Sequence, residues 1–176
     1  MKLLSLYQNF VKTHTSCGFC LLVHWSLSLS LWSEEVSRAE AKLVEQGPVL
    51  DGKLDDPCWK GLSVIKDFRQ RRPNEGFAET EKTEVRLCRD ADFLFVGVRC
   101  FDSQPDQIRA GVMQRDAPVR GDDYFFILID PFSRGRDGYY FRTNANGAKG
   151  EALINSDMSR PKMDWDTIWE VRSQQD

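Results

Sequence analysis

Aromatic rings and planar hydrogen-bonding groups occur together in the second half of the chain. This combination can bind a sugar, because an aromatic ring stacks on the C–H face of a pyranose and a planar polar group hydrogen-bonds to adjacent hydroxyls. Trp165 lies in a charged stretch, which favours an exposed stacking platform, whereas Trp169 is expected to begin a strand and fits a core position better. Because neighbouring strand residues point to opposite faces, at most one of two adjacent tyrosines can contact a ligand. The principal candidate sugar-binding residues are Trp165, Trp169, Tyr139, Arg115 and Asn144, and the further candidates are Tyr140, Arg142 and Asn146.

Several acidic residues could supply the hard oxygen ligands that calcium requires. Asp122 and Asp123 come directly before an apolar run, where two adjacent carboxylates need compensation by a cation or by arginine. Asp102 follows another apolar run. These three residues are candidate ligands for a structural calcium ion, and the alternative for each of them is an ordinary solvated turn residue.

No spacing of residues singles out a catalytic centre. The two histidines, His14 and His24, both lie near the N-terminus, which excludes a serine–histidine or cysteine–histidine arrangement in the rest of the sequence. Glycoside hydrolysis needs two facing carboxylates, and Glu151 with Asp130 could be such a pair, but their spacing does not distinguish them from other acids. The formal net charge is -3 and the arginines are scattered among acids, which argues against a nucleic-acid surface.

Three apolar runs are expected to form the core that positions these residues. In the first run Val85 and Leu87 alternate with polar residues, as in a half-buried strand. Residues 93–101, after a polar turn, are almost entirely apolar, which predicts a strand covered on both faces in the middle of a sandwich or a closed sheet. Residues 124–129 are aromatic and β-branched and predict a third strand that ends before a proline.

Two smaller features complete the domain. Asp55 or Asp56 is the expected N-cap of a helical turn that begins at a proline, and Trp59 is expected to pack beneath the sheet. Cys88 and Cys100 lie on the two arms of the predicted hairpin and could face each other, although free cysteine is the more common outcome.

The first 33 residues differ from the rest of the chain. Lys2 and Lys12 precede an apolar stretch that is shorter than the roughly 20 residues of a membrane span, and no acid occurs before Glu34. This order is typical of a secretory signal peptide and predicts a secreted, periplasmic or outer-membrane-associated protein; the alternative is a misassigned start. Residues 34–47 are expected to be a linker or loose helix, and residues 48–176 the domain.

An ordered series of short motifs runs through the domain. The motifs are Leu50-Asp51-Gly52, Leu54 to Pro57 with Trp59, Asp67-Phe68, Pro73 to Gly76, Thr83 to Arg86, Phe93 to Val98, Asp123 to Pro131, Gly138-Tyr139, Asn146-Gly147 and Trp165 to Glu170. In this order they resemble a family 9 carbohydrate-binding module over roughly residues 48–172. The resemblance is to the version that opens long bacterial proteins in which the module precedes a large β-rich domain of unassigned function.

The resemblance implies an all-β fold, an antiparallel β-sandwich of jelly-roll type that grips sugars between aromatic side chains and carries structural calcium. Family members continue after the last motif, so it also implies a sandwich that is incomplete at the C-terminus, with the missing β-rich domain of the full-length protein as a partner.

The expected function is that of a non-catalytic module that binds a polysaccharide or oligosaccharide, in a parent protein linked to O-glycosyl hydrolysis of xylan or other carbohydrates. The alternative is a structural docking domain of an outer-membrane-associated protein that has lost sugar binding.

Overall fold

A computed structural model describes residues 39–155 and 161–176, and the predicted signal peptide lies outside this range. The described part of the chain is all-β, with two three-stranded sheets that are mostly antiparallel and two short 3-10 turns, Pro57–Trp59 and Pro105–Gln107. This confirms the predicted fold class, while the jelly-roll arrangement of the sheets stays a prediction. None of the helices in the described ranges is both long and apolar enough to cross a membrane.

The first sheet contains β1 (Lys42–Leu43), β2 (Thr83–Arg89) and β3 (Leu94–Cys100), in the order β1-β2-β3. β2 and β3 form the predicted antiparallel hairpin, and β1, which lies in the segment expected to be a linker or loose helix, pairs with β2 in parallel. Val85 and Leu87 are buried, as their alternation predicts. The hairpin is the element on which the rest of this sheet is built.

The carboxylate of Asp90 fixes the turn of this hairpin. It accepts hydrogen bonds from the backbone N–H groups of Asp92, at 2.8 Å, and of Phe93, at 2.7 Å. A short acceptor side chain that bonds to the backbone two and three residues later is a common way to stabilise a tight turn, which explains the aspartate at this position.

The predicted position of β3 in the middle of its sheet was wrong. Among the described residues β3 is an edge strand of the first sheet, and β2 is the strand with a partner on each side. Phe93 at the start of the second arm is 66% exposed, and Phe101 at its end is 43% exposed. The apolar residues on both faces of β3 did not make it the central strand, because the third strand of the sheet, β1, pairs with β2 and not with β3.

Trp59 packs beneath the first sheet, as predicted. It is the last residue of the Pro57–Trp59 turn and is only 6% exposed. Its ring lies against Gly97 of β3, where an added Cβ would be 3.0 Å from two ring carbons. The absence of a side chain at Gly97 therefore makes room for the indole.

The second sheet contains β4 (Tyr124–Ile129), β5 (Gly138–Asn144) and β6 (Lys149–Ile154), in this order and fully antiparallel. Asp130 holds the loop between β4 and β5, since its carboxylate accepts hydrogen bonds from the N–H groups of Phe132 and Gly135 at 2.9 and 2.7 Å. The Gly135 donor, followed by the other loop N–H groups, lowers the pKa of Asp130. This loop is the hairpin connection between β4 and β5.

The C-terminal segment, residues 163–176, crosses from the second sheet to the first. Lys149 Nζ donates to the carbonyl of Trp169 at 2.9 Å, and the hydroxyl of Ser173 donates to the carbonyl of Ala145 at 2.8 Å. At its end, Asp176 pairs with Arg99 of β3 at 2.5 Å. The segment forms no strand, although Trp169 was expected to begin one. Side-chain contacts hold it in place.

The three cysteines of the domain are free. Cys88 stands opposite Phe95 and Cys100 stands opposite Thr83, so the two cysteines lie at opposite ends of the hairpin. Burial raises the pKa of the Cys88 thiol to about 11. A buried, protonated thiol behaves as a small apolar side chain, which fits its place in the core.

Candidate functional site

One face of the second sheet carries the aromatic residues of the candidate site. Tyr139 and Phe141 are two residues apart on β5 and therefore project to the same face. Their partners on β6 are Leu153 and Glu151, which belong to that face as well. The C-terminal segment lies over this surface.

Two tryptophans of the C-terminal segment complete an aromatic cluster with these residues. The ring of Trp165 lies 5.1 Å from that of Tyr139 and 6.2 Å from that of Phe141, measured between centroids. Trp169 meets Phe141 edge to face, at 5.3 Å and 69°. Such tilted and T-shaped contacts are favourable for aromatic pairs and add to the burial of their apolar surface.

Glu151 lies under this cluster with its side chain fully buried. One carboxylate oxygen accepts a hydrogen bond from the indole Nε1 of Trp169 at 3.0 Å, and the other accepts from Arg115. Its backbone N–H donates to the carboxylate of Asp116 at 3.2 Å. A buried carboxylate requires such a cation and such donors, because an unpaired buried charge is very unfavourable.

Arg115 connects the sheet to the C-terminal segment. The same guanidinium nitrogen that bonds to Glu151 also donates to Asp166 and to the carbonyl of Thr167, the latter at 2.9 Å. The Nε atom of Arg115 lies 3.7 Å from a carboxylate oxygen of Asp116. Three carboxylates therefore lie close to one guanidinium.

A cleft of about 290 Å³ opens beside Trp169. Lys149 is one of its cations, and its Nζ atom lies 3.9 Å from Glu170 and 5.9 Å from the centre of the Trp169 ring. The cleft thus has an aromatic wall with charged groups around it. Its lining residues are Arg115, Lys149, Asp166, Thr167, Ile168, Trp169 and Glu170.

Four of the five principal sugar-binding candidates meet at this place: Trp165, Trp169, Tyr139 and Arg115. Trp169 and Arg115 line the cleft, while Trp165 packs against Tyr139 and does not line it.

Asn144, the fifth candidate, is elsewhere. It is 3% exposed, and its amide donates to the carbonyl of Val112 at 2.7 Å and to Asp122 at 2.8 Å. Its amide oxygen accepts from the N–H groups of Asn146 and Ala148, at 3.1 and 3.0 Å, and so forms the turn between β5 and β6. Asn144 has a structural role in this fold.

The remaining sugar-binding candidates also lie away from the cleft. Tyr140 and Arg142 are on the opposite face of β5 from Tyr139, and Arg142 donates to the carbonyl of Ala117 at 2.9 Å. The side chain of Asn146 donates to the carbonyl of Ala110.

The carboxylates of the three candidate calcium ligands accept hydrogen bonds from the protein backbone. Asp122 accepts from the N–H groups of Gly111 and Val112, at 3.0 and 2.9 Å, and from Asn144. The Val112 N–H, followed by the Asn144 amide, lowers the pKa of Asp122. The carboxylate of Asp122 therefore has hydrogen-bond partners within the protein itself, without a metal ion.

The other two candidates are bound in the same way. Asp123 accepts from the N–H of Arg109 at 2.9 Å, and Asp102 accepts from the N–H of Gln104 at 2.7 Å. In the part of the chain that the structure describes, no three acidic, cysteine or histidine side chains are grouped so that they could hold a metal ion. The calcium ion stays a prediction.

Sequence reasoning did not select Lys149, Glu170 or Phe141 for the site, and it considered Glu151 only as one acid of a hydrolase pair. Phe141 could have been found, because it shares a strand face with Tyr139. The role of Glu151 depends on the register of β6 against β5 and on the path of the C-terminal segment, and neither is visible in a local pattern.

Comparison of the chain with protein-family models, with curated proteins and with solved structures finds no match.

Proposed function

We propose that this chain is a non-catalytic carbohydrate-binding module and that a neutral sugar or oligosaccharide binds in the cleft beside Trp169. The observation that carries the proposal is the aromatic wall of this cleft with Arg115, Lys149, Asp166 and Glu170 around it. A sugar presents both apolar C–H faces and hydroxyls, and this cleft offers a partner for each.

The position of Trp169 supports the stacking role. Its indole N–H donates to the buried Glu151 and its ring packs against Phe141, so the ring is fixed before a ligand arrives. A fixed ring loses little conformational freedom on binding, which favours affinity for a weakly interacting ligand.

The charged residues of the cleft supply hydrogen-bonding groups. Asp166 and Glu170 are 77% and 56% exposed at their side chains and can accept from hydroxyls, while Arg115 and Lys149 can donate to them. Charge-assisted hydrogen bonds of this kind are stronger than bonds between neutral groups.

The wider context of the proposal comes from the sequence motifs. The module would belong to an exported protein that takes part in the breakdown of xylan or another polysaccharide through O-glycosyl hydrolysis elsewhere in the protein, and a structural calcium ion would stiffen its loops. Its role would be to hold that protein close to the polysaccharide.

Affinity electrophoresis tests the proposal with the full chain in gels that contain xylan, a soluble cellulose derivative or no polysaccharide, with calcium and with a chelator. We expect retardation by one glycan, and weaker retardation with chelator if calcium stiffens the site. Glu170→Ala should reduce the retardation, whereas the matched control Glu75→Ala, at another exposed position, should not. Equal migration of the folded protein in every gel would contradict sugar binding.

A specific observation favours the alternative of a docking domain. Tyr124 and Phe126 on β4, an edge strand of the second sheet, are 49% and 48% exposed, and their ring centroids are 6.3 Å apart. Exposed aromatic residues on a strand whose edge has no partner strand among the described residues are typical of surfaces that contact another protein. Equal migration in all gels would therefore move the proposal to docking.

A further inference from the structure

The cations of the cleft are already neutralised by neighbouring acids. Arg115 lies close to Glu151, Asp166 and Asp116, and Lys149 lies 3.9 Å from Glu170. Glu170 is also 3.3 Å from Arg172. These ion pairs comprise three cations and four carboxylates, which leaves one negative charge in excess.

The most strongly engaged atom is the Nη2 nitrogen of Arg115. It donates to two carboxylates and to the Thr167 carbonyl, and a ligand carboxylate or phosphate that binds an arginine fork needs this nitrogen together with Nε or Nη1, so it would have to compete with these acceptors. An anionic ligand would have to displace Asp166 or approach it at short range, and like charges at this distance repel.

Asp166 and Glu170 differ from Glu151 in what they do. Glu151 is fully buried and holds Trp169, whereas Asp166 and Glu170 have side chains that are 77% and 56% exposed and lie on the cleft lining. Removing the two exposed charges would therefore leave the buried pair intact and would expose the positive charge of Arg115 and Lys149 to a ligand.

We propose that Asp166 and Glu170 are specificity-determining residues that exclude anionic ligands, such as uronic-acid glycans, from the cleft and so restrict it to neutral hydroxylated ligands. The inference rests on the proposed function, since it concerns the same cleft. It also predicts that binding of the neutral ligand depends only weakly on salt, because no net charge is neutralised on binding.

The test uses a variant that gains an interaction, so that loss of folding cannot produce the expected result. The double variant Asp166→Asn, Glu170→Gln is compared with the wild-type chain in gels that contain xylan or polygalacturonate. A matched control, Asp92→Asn with Glu75→Gln, makes the same change in total charge at two exposed positions outside the cleft. Migration is referred to a gel without polysaccharide in each case.

We expect polygalacturonate to retard the double variant but not the wild-type chain or the control. The affinity gain should be about tenfold at low salt and should disappear at roughly 500 mM salt, where the charges are screened. Salt-sensitive binding of the wild-type chain to polygalacturonate, or no gain in the double variant, would overturn the inference. Failure of the wild-type chain to bind xylan and the cellulose derivative contradicts the proposed function instead, so the two failures are distinguishable.

Discussion

The indole Nε1 of Trp169 donates a 3.0 Å hydrogen bond to the fully buried carboxylate of Glu151. This bond joins a residue of the second sheet to a residue of the C-terminal segment, 18 positions later in the chain. The wall of the cleft is therefore positioned by a buried charge, and the charge in turn depends on Arg115. The same contacts therefore position the wall of the cleft and stabilise the fold.

Replacing Arg115 by alanine should strongly destabilise the domain. The variant leaves Glu151 buried without its cation, which costs about 3 to 5 kcal/mol of unfolding free energy for a buried pair. Arg99→Ala is the matched control, because its partner Asp176 has a side chain that is 70% exposed, and loss of such a pair costs about 1 kcal/mol or less. Urea denaturation of both variants measures the difference. Equal losses would show that Glu151 does not depend on Arg115.

Trp169→Phe should be more destabilising than Trp165→Phe. Both changes remove a similar volume from the same aromatic cluster, but the first also removes the donor to Glu151. Leaving a buried acceptor without its donor costs about 1 to 3 kcal/mol, so the unfolding free energies of the two variants should differ by about this amount.

The same pair of variants tests the stacking surface. Retardation by xylan should decrease for Trp169→Phe and remain close to the wild-type value for Trp165→Phe, since Trp169 lines the cleft and Trp165 packs against Tyr139. The reverse order in the gels would assign the platform to Trp165.

Local patterns predicted three of the six strands that the structure describes, and the pairing of β2 with β3, but not the other strand neighbours. The alternation of Val85 and Leu87 and the aromatic run of β4 identified strands that the structure contains. The apolar composition of β3 suggested a central position in the sheet. Which strand is central depends instead on the strand with which β1 pairs, and β1 consists of two residues from a segment that was expected to be a linker. Pairing between distant segments is not encoded in the composition of one of them.

Only part of the candidate site could be predicted from the sequence, because some of its contacts also depend on pairing between distant segments. Residue types indicated Trp165, Trp169, Tyr139 and Arg115, and the structure brings these four together. Asn144 could have been separated from Tyr139 by strand parity alone, because they are five residues apart on one strand and so face opposite sides. The contacts of Glu151 depend on the path of the last 14 described residues and could not be derived from local spacing.

Gly97→Ala should destabilise the first sheet. An added Cβ would lie 3.0 Å from ring carbons of Trp59 and 2.9 Å from a methyl carbon of Leu54, so the core would have to shift at a cost of about 1 to 3 kcal/mol. The control Gly111→Ala has its nearest neighbour at 3.7 Å, an ordinary contact distance, and keeps the N–H that donates to Asp122. Thermal unfolding should separate the two variants; a neutral Gly97→Ala would mean that Trp59 can move aside.

Asp122→Asn should change how stability depends on pH on the acid side. The N–H of Val112, followed by the Asn144 amide, lowers the pKa of Asp122 in the folded chain, so the ionised carboxylate stabilises the fold at pH values above its unfolded pKa of about 3.9. This contribution is lost as the pH falls through the lower, folded pKa. The melting temperature of the variant should therefore lie below that of the wild-type chain at neutral pH, and the gap should narrow towards roughly pH 2.

Circular dichroism melts at several pH values measure this gap. Asp92→Asn is the control for the loss of one charge at an exposed turn. A gap that stays constant over this range would mean that the charge of Asp122 contributes nothing through these donors.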